Sequence, residues 1–136
     1  MREILFRGKQ LYKNTWAYGG IRKYCGCIEI LPEEGPCKIT VYKDTVGQYT
    51  GLIDKNGKKI FEGDIVKYRD EGYIVNGVVL FGLYASAGAT FAGHEGFYLE
   101  WAEDDGLRKD IGFWATKRPL EVIGNIHDNP ELMEDE

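Results

Sequence analysis

Few residues in this 136-residue chain are spaced to do chemistry. Glu62 and Asp64 flank Gly63 and could form a paired carboxylate for acid–base or metal work, but no third ligand stands near them. Solvated turn residues fit the pair better. His94 beside Glu95 could be a general base with its orienting partner, although a water-exposed loop histidine suits its small, polar neighbours better. Cys25, Cys27 and Cys37 are an odd number of thiols without a signal peptide, which argues for free cysteines. They lack the paired Cys-x-x-Cys knuckles of a zinc site, so small buried hydrophobes are expected. Glu103-Asp104-Asp105-Gly106 lacks the alternating ligands of a calcium loop, and the Gly- and Ala-rich stretch 82–96 lacks the Lys-Ser/Thr of a phosphate cradle. No catalytic, cofactor-binding or metal-binding residue is assigned, and no enzyme activity is expected.

The remaining chemistry is electrostatic. Residues 37–69 carry Lys38, Lys43, Lys55, Lys58, Lys59, Lys67 and Arg69 against Asp44, Asp54, Glu62 and Asp64, with Tyr42, Tyr49 and Tyr68 among them. Cations for phosphate and rings for stacking are the composition of a nucleic-acid face. Lys43, Lys55, Lys58, Lys59, Lys67 and Arg69 are the candidate contacts. Trp16 and Tyr18 beside Arg22-Lys23-Tyr24 read first as core aromatics and second as a stacking surface. The net charge of −5 works against nucleic acid, but it is unevenly spread. Residues 1–69 hold 13 basic and 8 acidic side chains, whereas residues 70–136 hold 4 and 14. Copies of the chain could associate with unlike patches facing, unless the fold mixes the two halves.

The elements that must position these groups are strands. Gly at 18 residues and Tyr at 9 suit short strands joined by turns. Leu52-Ile53 and Ile60-Phe61 are apolar arms around Asp54-Lys55-Asn56-Gly57-Lys58-Lys59, and Asn-Gly predicts a two-residue hairpin turn with positive φ at both centres. Glu62-Gly63-Asp64 is a corner that opens a strand at Ile65-Val66. Strands are also expected at 3–7, 26–31 with Glu29 outward, 37–42, 73–81, 97–101 and 120–126. Gly19-Gly20 should break the aromatic segment before it, and Asn76-Gly77 should mark a bulge in preference to a second hairpin turn. Asn129-Pro130 reads as an N-cap and first helical residue of one short turn.

Three blocks resemble the YopX family of phage and prophage proteins: Met1–Arg7, Val46–Val66, and Glu121-Val122-Ile123-Gly124-Asn125-Ile126-His127-Asp128-Asn129-Pro130-Glu131-Leu132. The central block carries the family's Gln-Tyr-Thr-Gly-Leu-x-Asp-Lys-Asn-Gly-x-x-Ile-x-Glu-Gly-Asp-Ile-Val pattern at Gln48–Val66. Residues 8–37 and 82–118 depart from it. The resemblance implies a small, mainly β, phage-type protein and transfers no catalytic residue. Gln48, Tyr49, Thr50, Asp54, Asp64 and Asn125 are the polar members of the shared blocks that could carry a role.

Together these readings predict one mainly β, antiparallel domain with little helix. An irregular N-terminal part, 1–45, should precede an SH3-like or related small barrel over 46–126 and a short helical turn at 129–134. The expected function is a non-enzymatic phage accessory protein that binds copies of itself or another partner; nucleic-acid binding is the alternative. No apolar run approaches the ~20 residues of a membrane span, and Met1–Arg7 lacks a signal core, so the host cytoplasm is the expected location.

Overall fold

Alternating and β-branched residues build almost everything in this chain. In a computed structural model, residues 3–70, 73–85, 93–102, 111 and 120–133 are described, with the side chains of these residues except 69, 70, 73, 83–85 and 93–95. Ten strands run through them: β1 (Phe6–Lys9), β2 (Trp16–Tyr24), β3 (Cys27–Leu31), β4 (Ile39–Val41), β5 (Gly47–Ile53), β6 (Lys59–Phe61), β7 (Asp64–Asp70), β8 (Tyr73–Ala85), β9 (Gly93–Trp101) and β10 (Leu120–Asn125). Helix among the described residues is limited to 3₁₀ turns at Lys43–Thr45 and Pro130–Met133 and to Ile111. The protein is mainly β, with antiparallel pairing throughout the registers below.

Two compact units divide the chain, Met1–Gly51 and Leu52–Glu136. In the first, strands lie in the order β4-β3-β2-β1-β5, and β5 runs on into the second unit, where β6 is its other neighbour. One face of this first sheet buries Ala17, Ile30 and Val41, with Phe6, Ile28, Ile39 and Val46 packed against them. Gly19-Gly20 do not end β2, which continues through them and pairs Gly20 with Leu31. A Cβ at Gly19 would sit 2.3 Å from the Leu31 carbonyl oxygen, so the missing side chain lets two backbones meet where a break was expected.

The second unit holds an open sheet, β10-β7-β8-β9. No pairing joins β9 to β10 among the described residues, so the expected small barrel does not close here. Its core gathers Ile60, Val66, Tyr68, Val75, Val79, Leu99, Trp101, Ile111 and Leu120. Full burial of an aliphatic side chain such as Ile60, Leu99 or Leu120 stabilises the fold by about 1.5–3 kcal/mol each. Asn76-Gly77 form neither bulge nor turn, because the β7–β8 register runs unbroken through them. Gly77 faces Trp101, whose Cε3 would lie 2.8 Å from an added Cβ. Beside it, Asn76 Nδ2 donates to the Leu132 carbonyl at 2.9 Å and its Oδ1 is buried without a hydrogen-bond partner among the described residues.

Candidate functional site

Three of the polar residues shared by the matching blocks, Asp54, Asp64 and Asn125, serve the backbone; Tyr49 and Thr50 are buried and Gln48 is half-buried in β5. Asp54 is buried: Oδ1 accepts the N–H groups of Asn56 and Lys58, both at 2.8 Å, and Oδ2 accepts that of Val122 at 3.0 Å. It ties the 54–58 turn to β10. Burial pushes its carboxyl up, but the Val122, Lys58 and Asn56 amides and the Lys58 charge outweigh this, holding it below the ordinary aspartate value. Asp64 is buried and its Oδ2 accepts the Phe61 N–H at 2.7 Å across the Gly63 corner, where φ is +92°. The corner stands as the sequence predicts, and this carboxylate of the Glu62/Asp64 pair lies inside it. Asn125 Oδ1 accepts the His127 and Asp128 N–H groups at 3.0 and 2.9 Å. Asn129 Oδ1 accepts the Asn125 N–H at 3.3 Å, so this expected N-cap residue reaches back toward β10. The side chains of His94 and Glu95, the acidic run 103–105 and the centre of the 82–96 stretch lie outside the described residues. Among the described residues no group of three His, Cys, Asp or Glu comes together to hold a metal.

The candidate nucleic-acid contacts are spread over both units. Lys55, Lys58 and Lys59 are exposed on the β5–β6 hairpin, and Lys67 is half-buried in β7. Arg69 pairs with Ile74 along its backbone, and its side chain is outside the description. Lys43 is exposed in the first unit. The rings meant to interleave with them do not: Tyr49 and Tyr68 are core residues, and of the three only Tyr42 is exposed. Tyr at an alternating strand position was as compatible with the buried face as with the wet one.

The exposed aromatic surface lies elsewhere. Tyr12, Tyr18, Tyr24 and Tyr42 are all exposed and all in the first unit. Along β2, Tyr18, Gly20, Arg22 and Tyr24 alternate on the face opposite the Ala17 core. Register sets Arg22 against Glu29 and Tyr24 against Cys27. Glu29 lies on this outer face, as expected, but is covered there: Arg22 Nε and Nη2 donate to its Oε1 at 3.0 and 2.6 Å, and Lys38 Nζ lies 3.6 Å from its Oε2. The Arg22 hydrogen bonds, against some loss of solvation, hold its carboxyl below the ordinary glutamate value, with Lys38 adding to the effect. Arg22 and Lys38 also stand over the Tyr24 ring at 5.6 and 5.8 Å, and Arg7 over Trp16 at 4.8 Å. The signal for this cluster was the strand alternation itself, once Arg22 and Glu29 are placed in one cross-strand pair.

The cysteines are exposed, not buried. Cys25-Gly26 form the two-residue β2–β3 turn with φ of +49° and +80°, between the paired Tyr24 and Cys27. Asn56-Gly57, expected to take that geometry, do not: only Gly57 has positive φ, at +83°.

A family model described as YopX protein matches residues 5–134. No curated protein matches the chain. Among solved structures, the crystal structure of protein EF1440 from Enterococcus faecalis is similar in fold, with a TM-score of 0.53 and 21% identity over 98% of this chain and 100% of that one.

Proposed function

We propose, from the premise that this chain belongs to the YopX family, that it is a non-enzymatic binding protein whose contact surface is the tyrosine- and cation-bearing face of the first unit. The observation that carries this reading is the outward row Tyr18, Arg22, Tyr24 on β2, flanked by Lys38. Tyrosine with arginine is the composition of protein contact surfaces, since rigid rings bring large area at little entropy. The partner is a second copy. The first unit has 8 basic and 5 acidic residues, net +3, and the second 9 and 17, net −8, which together give the chain's −5. The face of one copy is complementary to the acidic unit of another. On this reading the protein is an accessory of a phage or integrated element and works in the host cytoplasm. No helix among the described residues is long and apolar enough to cross a membrane.

Sedimentation velocity tests this. The mean mass should exceed 15.5 kDa at ~50 mM salt and fall toward it at ~500 mM, where the screening length is only a few ångströms. Tyr24→Ser should weaken the assembly about tenfold or more, as for an anchor residue at a contact centre. A 15.5 kDa species at both salts would end the self-association reading. Nucleic acid on the lysine hairpin is the second reading, favoured by the exposure of Lys55, Lys58 and Lys59. Binding of single- or double-stranded DNA that weakens with salt, and is lost in the triple Lys→Gln variant, is its expected signature.

A further inference from the structure

We propose that the cleft at the β2–β3 turn binds a nucleoside phosphate. The cleft is about 350 Å³ and is lined by Lys23, Tyr24, Cys25, Gly26, Cys27, Ile28 and Lys43. That volume is at the low end of the ~300–1,000 Å³ of small-molecule sites. Two lysines line it from elements 20 positions apart, Lys23 from β2 and Lys43 from the 3₁₀ turn. Thr45 fixes the second of these: its hydroxyl donates to the Tyr42 carbonyl at 2.6 Å and accepts the Lys9 N–H at 2.9 Å, pinning the turn to β1.

The charge is uncompensated. Arg22 and Lys38 share the Glu29 carboxylate, whereas no carboxylate pairs with Lys23 or Lys43 among the described residues. Alternation explains why: Glu29 opposes Arg22, and Lys23 opposes Ile28, so the carboxylate and Lys23 occupy opposite faces. Asp44 follows Lys43 but does not line the cleft. Two like charges facing one small space repel, and a phosphate between them removes that cost while gaining charge-assisted hydrogen bonds. The remaining walls suit the rest of a nucleoside. Tyr24 and Ile28 add an aromatic and an apolar residue to the lining, and Gly26 leaves the turn open, with no atom within 4 Å of where a Cβ would be. The ligand chemistry is a phosphate joined to a planar base, either a free nucleotide or a unit of a single strand. The cleft shares Tyr24 with the proposed contact face, but its lysines, Lys23 and Lys43, lie outside that row, and the inference does not depend on self-association.

The thiols supply the readout. Cys25 and Cys27 line the cleft, while Cys37 is exposed and outside it. The rate of iodoacetamide alkylation is measured at each cysteine by mass spectrometry, on the full chain, with AMP, inorganic phosphate or ten-residue oligothymidylate. At ten times the dissociation constant of AMP, alkylation of Cys25 and Cys27 should slow about tenfold, since only the unoccupied sites react, and Cys37 should keep its rate. Oligothymidylate protecting at lower concentration than AMP identifies the single strand as the source; AMP alone protecting identifies the free nucleotide. Lys23→Gln and Lys43→Gln should each weaken protection about tenfold, with an unchanged Cys37 rate showing the fold intact. Protection of no thiol, equal protection of all three, protection by phosphate as strong as by AMP, or protection that survives both substitutions would overturn the proposal.

Discussion

At the scale of single residues, Asp54 has the sharpest consequence. Its carboxylate satisfies three backbone N–H groups in two elements. Asp54→Asn replaces one acceptor oxygen with a donor and should cost about 1–3 kcal/mol in urea unfolding at pH 7. Because the folded carboxyl is held below its unfolded value, its contribution is complete above about pH 4 and is lost as pH falls through the lower folded value. The gap between wild type and variant should therefore close in acid; a gap that persists to pH 2 would show that the charge is irrelevant. Gly77 makes a second case. Gly77→Ala drives a Cβ against the buried Trp101 ring and should cost about 1–3 kcal/mol by the same measurement. The sequence pointed to a special glycine there but not to its reason, since a ring arriving from β9 leaves no mark on the residues around Asn76. Asp54 was likewise picked out among the shared polar residues, yet its partner Val122 is 68 positions away and only the fold brings the two together.

At the scale of elements, turn geometry decides what the strand pattern cannot. Both strand arms of the 52–61 hairpin are where their apolar pairs predict. The turn differs because Asp54 captures the Asn56 and Lys58 amides, leaving Asn56 without positive φ and Gly57 alone in the left-handed region. The tight two-residue turn falls instead on Cys25-Gly26, which lack the Asn-Gly signature. Cys25 holds φ of +49°, where Asn is better tolerated. Cys25→Asn should therefore raise thermal stability slightly, by about 0.5 kcal/mol, and a lower melting temperature would contradict this account of the turn. Most of the segments expected as strands contain one, because alternation and β-branching report local preference. Sheet closure was not legible, since it depends on which edges meet, and the described strands of the second unit end in an open order. The covering of Glu29 on its outer face was not legible for the same reason: a charged residue at an alternating position reads as wet until its cross-strand cations are known.

At the scale of the whole molecule, the boundary after Gly51 leaves a first unit of net +3 and a second of net −8, with the basic residues of 52–69 in the acidic unit. The sequence left open whether folding would interleave them. A contact between a basic face on one copy and an acidic unit on the next is head-to-tail, so it need not stop at two. Light scattering over rising concentration at low salt should show a mass that keeps climbing; a plateau at a dimer would replace this arrangement with a two-fold one. The candidate contact face was half legible. Arg22, Lys23 and Tyr24 drew notice as a cluster, but the lysines of 55–69 drew more, because a count of charges along the chain cannot tell which tyrosines are left in water.

The grip of Asn76 on the Leu132 carbonyl has a practical corollary for anyone shortening the gene from its 3′ end. A stop codon placed after Met133 removes three acidic residues and spares this link. A stop after Asn129 deletes the acceptor itself, stranding both ends of an amide near the start of the longest strand, at its fourth residue. The shorter product should be less stable to urea than the longer one by about 1–3 kcal/mol.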